Sequence, residues 1–180
     1  MKASILIAEL MLATAECCGA DVWFAPGEDC TAVIVSEFDK AAKTVDVMAY
    51  NFTSQAIGDA LIRAEKRGVE VRILLDVRAP SQGNSQAERC KAAGADVRID
   101  QCRPREPIAH NKVGLVDSAV VLAGSFNYSK QANKNAENLT RDDQASLVKE
   151  YADNFETHWQ HGQKLGAPKI VRPVRKRRPG

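Results

Sequence analysis

Residues 69–75 limit most strongly the fold that this chain can adopt. The stretch begins by alternating apolar and polar side chains, and it ends in the unbroken apolar run Ile73, Leu74 and Leu75. Alternation predicts a strand with one solvated face, whereas an unbroken run predicts a strand that is buried on both faces. Such a strand needs a layer of helices on each side. The stretch therefore predicts a central strand in a sheet that helices cover.

Helical and extended patterns alternate along the rest of the chain. Ser54 is a good N-cap and Gly68 a helix terminator, so they bound a predicted helix just before the central strand. The other predicted helices are residues 30–43, 85–93 and 144–161, and the other predicted strands are residues 22–24, 45–50, 97–99, 108–116 and 119–124. With 180 residues, of which 44% are hydrophobic, the chain is long enough to form one domain with a hydrophobic core. We therefore predict an α/β fold, with one domain per chain and a mixed β-sheet between helices.

A dense polar motif lies in the strand-rich second half of the chain. It comprises His110, Lys112, Asp117 and the Gly-Ser-Phe-Asn segment at residues 124–127, in the pattern H-x-K-x4-D-x6-G-S-x-N. Six specified positions match by chance in about one chain in ten thousand or fewer at ordinary residue usage. On a strand, His110 and Lys112 point to the same face. An imidazole, a fixed positive charge and small hydrogen-bond donors are the groups needed to attack a phosphodiester.

This motif and several further stretches resemble the signature of the phospholipase D superfamily. The chain is most similar to the small single-motif members of that superfamily, the bacterial Nuc-type endonucleases. The further stretches are residues 22–26, 47–53, 66–71, 135–138 and 155–159, and the resemblance covers residues 22–163. One departure follows Glu137, where an apolar strand is expected but residues 138–143 are mostly polar. That departure predicts a shortened strand.

The resemblance implies a hydrolase of phosphodiester bonds, and each motif residue has a candidate role. His110 is the candidate nucleophile, through a phosphohistidine intermediate, and Lys112 supplies positive charge to the phosphate oxygens. Ser125 and Asn127 are candidate substrate-binding donors. Glu137 matches the family's downstream glutamate, which can hold a histidine in one tautomer. Asp117 also belongs to the signature. Because it lies near a predicted turn, its role is either catalytic or structural.

Only one H-x-K occurs in the chain, and that count bears on the reaction. An attacking His110 cannot also protonate a leaving group on the opposite side of the phosphorus. A twofold homodimer that places two copies of His110 around one phosphate would supply the acid, and the resemblance implies the same composite site. The positive and donor groups of two chains also remove the need for a metal. We therefore predict no cofactor and a metal-independent phosphodiesterase.

Three functions are weighed for this site. The first is a non-specific endonuclease acting on DNA, RNA or both, and the second is a phospholipase D-type lipid phosphodiesterase. The sequence has no long amphipathic apolar helix or aromatic cluster to favour lipid. The third is an inactive nucleic-acid-binding module, which the complete motif disfavours.

Both ends of the chain differ from its body. Residues 1–21 have the outline of a secretory signal peptide, although Glu9 interrupts the apolar run. A signal peptide predicts a periplasmic or secreted protein. The alternatives are an N-terminal helix or a misassigned start codon, which leave a cytoplasmic location open.

Residues 164–180 hold seven basic residues and no acid, leaving 18 basic and 23 acidic residues elsewhere. This tail is predicted to be disordered, and either to contact nucleic acid or an anionic membrane or simply to solubilise the chain.

The cysteines and remaining histidines show no metal-binding spacing. Five cysteines contain no C-x-x-C, and one bridge, between Cys30 and Cys102, is an option that sequence does not decide. His158 and His161 are interpreted as surface or packing histidines rather than metal ligands.

Overall fold

A computed structural model of the chain describes residues 19–100 and 108–167. Within these ranges, eight strands form a single sheet, and four α-helices accompany it. The strands are β1 Asp21–Ala25, β2 Thr44–Ala49, β3 Glu70–Leu75, β4 Asp96–Ile99, β5 Lys112–Val116, β6 Val120–Gly124, β7 Glu137–Asp142 and β8 Gln163–Lys164. The helices are α1 Cys30–Lys40, α2 Gln55–Lys66, α3 Ala87–Ala93 and α4 Ala145–Trp159.

The sheet is mixed and has the order β1-β7-β6-β5-β2-β3-β4-β8. The neighbours β2, β3 and β4 run parallel, and all other neighbouring pairs are antiparallel. Strand β3 pairs on both sides, and its apolar run is buried on both faces as predicted, with Ile73 and Leu75 in one core cluster and Leu74 in the other. The carboxyl ends of β2, β3 and β4 share one edge of the sheet, where sites commonly form in α/β proteins.

Helices cover both faces of the sheet. On one face, α1 and α2 contribute Ile34, Phe38 and Leu61 to the larger core. On the other face, α4 buries Val148, Phe155 and Trp159 against a second cluster from the sheet, which comprises Met48, Leu74, Val113, Leu115 and Val121. The predicted α/β fold with a mixed sheet between helices is therefore confirmed.

Two predicted boundaries move for identifiable reasons. Helix α1 ends at Lys40 rather than at residue 43, because the backbone N–H groups of Ala42, Lys43 and Thr44 donate to the carboxylate of Asp117 instead of continuing the helix. Strand β5 begins at Lys112 rather than at residue 108, so His110 precedes the strand. The predicted tight turn after β5 is present, at Asp117 and Ser118, both with positive φ as hairpin turns require.

The prediction of a shortened strand after Glu137 was wrong. Strand β7 runs over six residues, because it pairs along its length with β1 and along most of it with β6. Pairing on both sides satisfies the backbone whatever the side chains are. The polar side chains also find partners, as Arg141 pairs with Glu37 and Asp143.

The fold continues past the predicted domain boundary at residue 163. Strand β8 pairs with β4, and the backbone N–H of Leu165 donates to the carbonyl of Val97, so residues 164–167 belong to the folded domain rather than the tail. The predicted leader up to residue 18, the tail from residue 168 and Cys102 lie outside the described residues. Among the described helices, none combines the length and apolar character needed to cross a bilayer.

Candidate active site

His110 and Lys112 meet at the edge of the sheet where β2 ends and β5 begins. The Nζ of Lys112 lies 3.0 and 3.1 Å from the two ring nitrogens of His110 and donates to its backbone carbonyl at 2.7 Å. The lysine is buried, at 7% exposure, whereas the histidine is exposed. An exposed imidazole thus stands beside a buried, fixed ammonium group, although the two residues do not share a strand as predicted.

Tyr50, directly after β2, forms a wall of this pair. Its ring centroid lies 4.5 Å from that of His110, and the Nζ of Lys112 lies 5.2 Å from the Tyr50 centroid. Burial lowers the pKa of Lys112 from its ordinary value, and the negative charge of Glu137 offsets part of that effect. A partly desolvated ammonium group interacts strongly with a phosphate oxygen that enters the site.

Asp76 positions the backbone that leads into His110. Its buried carboxylate follows β3, accepts a hydrogen bond from the N–H of Ala109 at 2.9 Å, and pairs with Arg78 at 3.0 Å. Sequence reasoning missed this residue and Tyr50. For Asp76 a signal existed, because an acid directly after an apolar strand marks the edge where sites form.

The Gly-Ser-x-Asn segment lies beside Lys112 at the end of β6. The register pairs Val113 with Ala123, which puts Gly124 next to Lys112. A Cβ on Gly124 would collide with the carbonyl oxygen of Asn138, so only glycine allows this close approach. The Oδ1 of Asn127 is a buried atom with no hydrogen-bond partner among the described residues.

Glu137 is in the site, but its described contacts differ from the prediction. Its Oε2 accepts a hydrogen bond from the hydroxyl of Ser125 at 2.5 Å, and its Oε1 accepts one from Asn135 at 3.3 Å. No hydrogen bond between Glu137 and His110 is among those that the structure describes. Glu137 therefore fixes Ser125 within this chain, and its predicted role in orienting the histidine is not the geometry seen.

Asp117, a member of the predicted catalytic set for which a structural role was also open, lies apart from the His110–Lys112 pair. It lies beyond the far end of β5, and five strand residues put it roughly 16 Å from Lys112. Its carboxylate accepts three backbone N–H groups at 2.7 to 2.9 Å. Burial acts to raise the pKa of Asp117, but these bonds and Lys43 outweigh it and hold the pKa below its ordinary value. Asp117 is a structural residue that ties the loop after α1 to the β5–β6 turn.

The other two histidines of the chain lie away from this pair, on α4 and just after it. His158 and His161 both hydrogen-bond the buried carboxylate of Asp100, at 2.8 and 3.0 Å. His110 is therefore the one histidine of the three whose ring faces Lys112.

Comparisons with known proteins agree with this fold. Residues 34–159 match the family described as "Cardiolipin synthase, PLD-like domain". A protein named phospholipase D from Rickettsia conorii is 39% identical over 133 residues, which are 73% of this chain and 65% of that protein. A mitochondrial cardiolipin hydrolase from Xenopus tropicalis is 33% identical over 122 residues, 67% of this chain and 57% of that protein. The crystal structure of Nuc from Salmonella typhimurium superposes with a TM-score of 0.74 at 31% identity, covering 82% of this chain and 97% of Nuc.

The fold and the placement of the motif residues define a phospholipase D-like domain. The chain belongs to the phospholipase D superfamily, and its resemblance to the Nuc-like branch is confirmed. The chain spans about two thirds or less of the length of the Rickettsia and Xenopus relatives.

Proposed function

We propose that this protein is a metal-independent phosphodiesterase, and that its substrate is DNA, RNA or both, cleaved without sequence preference. The observation that carries the proposal is the exposed imidazole of His110 in contact with the buried ammonium group of Lys112. A second support is the similarity to Nuc over nearly the whole of that chain.

The groups in the site account for the bonds that must change. A ring nitrogen of His110 attacks the phosphorus, so that an N–P bond forms as a P–O ester bond breaks, and the leaving alkoxide takes a proton from an acid. Water then hydrolyses the phosphohistidine and regenerates the imidazole. Lys112 and the side-chain amide N–H groups of Asn127 stabilise the negative charge on the non-bridging oxygens. Ser125 is the third substrate-binding group of the proposal, and its hydroxyl has to turn from Glu137 to donate to a phosphate oxygen.

The acid must come from a second chain. His158 and His161 are engaged with Asp100, so one chain offers a single imidazole at the site. We infer a homodimer in which a twofold axis brings two copies of His110 to opposite sides of one phosphate. Each chain would then provide either the nucleophile or the acid.

A lipid diester is the second candidate substrate, because two relatives are named phospholipase D and mitochondrial cardiolipin hydrolase. The attack on phosphorus is the same for both substrates. We favour nucleic acid because of the likeness to Nuc. We also propose that the basic tail contacts nucleic acid or an anionic membrane, and that the protein is periplasmic or secreted.

The test uses the purified chain in EDTA with supercoiled plasmid, single-stranded RNA, phosphatidylcholine vesicles or cardiolipin vesicles. His110→Asn removes the nucleophile, and Lys149→Met is a matched control, since Lys149 lies on the exposed face of α4. Nicking of plasmid or cleavage of RNA that His110→Asn abolishes and Lys149→Met keeps supports the proposal.

Other outcomes select the alternatives. Release of a lipid head group or phosphatidic acid without nuclease activity would assign the lipid function. Retention of DNA without turnover of any substrate would indicate an inactive binding module. Activity that EDTA abolishes and Mg²⁺ restores would contradict the metal-independent reaction.

A further inference from the structure

Asp100, His158 and His161 form a second polar cluster that the proposed reaction does not use. Asp100 follows β4 and is 3% exposed. Its Oδ2 lies 2.8 Å from the Nδ1 of His158, and its Oδ1 lies 3.0 Å from the Nε2 of His161. Two imidazole nitrogens and a buried carboxylate thus converge from two separate parts of the chain, 58 residues apart or more.

Packing around the cluster holds both histidines in place. Between them Trp159 is buried, stacks on Phe155, and its ring lies 4.0 Å from the guanidinium of Arg98. The same arginine donates to the carbonyl of Trp159 at 3.1 Å. Gly162 is so close to the sheet that a Cβ there would lie 2.9 Å from the Cδ1 of Leu74. Strand β8 follows at once and pairs with β4, so the segment that carries the histidines is anchored on both sides.

The spacing of the three side chains suits a metal ion. The ligand atoms all lie within 4.8 Å of one another. A tetrahedral ion with bonds of about 2.0–2.1 Å to nitrogen or oxygen separates neighbouring ligand atoms by about 3.3 Å. The two hydrogen-bonded contacts would therefore widen by up to about half an ångström, and any pair of ligand atoms at the 4.8 Å limit would close by about 1.5 Å. Imidazole nitrogen together with one carboxylate selects transition metals over Ca²⁺ and Mg²⁺, which prefer oxygen.

We propose that Asp100, His158 and His161 bind one divalent transition-metal ion, of which Zn²⁺ is the best fit, with a fourth position open to water. The His-x-x-His spacing alone does not reveal the site, because its third ligand is distant in sequence. The sequence therefore predicts packing histidines, and only the fold brings Asp100 to them.

The proposed site adjoins the His110 site without belonging to it. Asp100, Ala109 and Asn111 line one small cavity, so the metal site contacts the segment that carries His110. The ion would stabilise this corner of the sheet, joining β4 to the end of α4. The proposal does not depend on the substrate of the active site, and it is compatible with catalysis in chelator because none of the three ligands faces Lys112.

Titration of the metal-stripped full-length chain with ZnCl₂ in a calorimeter tests the proposal. We expect one ion per chain for the wild type and for His110→Asn, with dissociation constants within about twofold of each other. His158→Asn and His161→Asn each remove a ligand, so they should bind more than about a hundredfold more weakly, which exceeds the usual loss of about tenfold to a hundredfold from an outer-shell partner. Absence of stoichiometric binding to the wild type, or equal affinity in all four proteins, overturns the proposal.

Cysteines are the competing ligands, and Co²⁺ as an optical probe distinguishes them. Burial raises the pKa of both described thiols, that of Cys90 to about 12, so they are poor ligands. A Co²⁺ complex with tetrahedral visible bands and no thiolate charge-transfer band supports the proposed ligands. A thiolate band assigns the metal to cysteine and overturns it.

A wild-type measurement decides the matter where a variant fails to fold. The chain has three histidines, and the imidazole resonances of His110 are identified by their loss in His110→Asn. Addition of Zn²⁺ should shift the resonances of the other two histidines and leave those of His110 in place. A shift confined to His110, or no shift, contradicts the site.

Discussion

The two ends of strand β5 carry two halves of one sequence motif and serve different purposes. At the end near Lys112, an exposed imidazole and a buried ammonium group leave hydrogen-bonding capacity for a ligand. At the end near Asp117, three backbone N–H groups engage the carboxylate. Short spacing in a sequence therefore does not mean a shared role. In the proposed reaction the end near Lys112 acts, and the end near Asp117 holds the fold.

The largest expected effect is at the active end. His110→Asn should reduce turnover of a chromogenic phosphodiester by about a thousandfold or more, because it removes the nucleophile. The free energy of unfolding should change by less than about 0.5 kcal/mol, because His110 is exposed. Steady-state kinetics and urea unfolding measure the two quantities. A fall in turnover together with a large fall in the free energy of unfolding would show that His110 also stabilises the fold, which contradicts the contrast between the two ends of β5.

Lys112→Met should reduce turnover roughly a hundredfold, because the positive charge that stabilises the transition state is lost. The control, Lys149→Met, removes a lysine from the exposed face of α4 and should keep wild-type turnover. The same kinetic assay compares the two variants. Equal losses in both would show that general charge, rather than the placement of Lys112, supports the reaction.

The pH profile should report on Lys112 as well. Because burial lowers its pKa, wild-type turnover should begin to fall at a pH below lysine's ordinary value of 10.5. Between the folded and unfolded pKa values the unfolded chain binds more protons, so the contribution of Lys112 to stability rises with pH while its charge is lost. Lys112→Arg should move the alkaline limb of the profile upward. An unchanged limb would assign the fall to another group.

The effect at the structural end should fall on stability rather than on turnover. Asp117→Ala leaves three backbone N–H groups without their acceptor, so we expect a loss of about 2 kcal/mol in the free energy of unfolding. Turnover measured well below the melting temperature should stay within about threefold of wild type. A large fall in turnover with unchanged stability would make Asp117 catalytic after all.

Acid should remove the difference between wild type and Asp117→Ala. The pKa of Asp117 is lowered in the folded chain, so its contribution is complete above the unfolded pKa, ordinarily 3.8, and is lost as pH falls through the folded value. Urea unfolding at neutral pH and at several pH values below 4 measures the gap. A gap that is independent of pH would mean that the carboxylate charge contributes nothing.

Much of this contrast could be predicted from the sequence. The apolar run in β3 and the alternation of helices with strands predicted the fold, and the motif predicted that Lys112 and the residues around Asn127 would gather at one edge. These inferences succeed because periodicity and close spacing act locally.

The remaining features depend on contacts between residues distant in sequence. Strand β7 keeps its length because β1, from the start of the domain, pairs with it on one side and β6 pairs with it on the other. Glu137 contacts Ser125, and Asp76 holds the segment before His110, through folding that spacing does not encode. Asp100 meets two histidines from the far end of the chain. Local pattern could not assign these partners.

The composite site is the central claim, and subunit mixing tests it most directly. Wild-type and His110→Asn chains carrying different tags are co-expressed in varied ratios, and total activity is measured against the fraction of wild-type chains. Because a site built on two copies of His110 fails when either is missing, activity should fall as the square of that fraction, to about one quarter in an equal mixture. Activity that falls in direct proportion, to about one half, would show that each chain acts alone and would contradict the account.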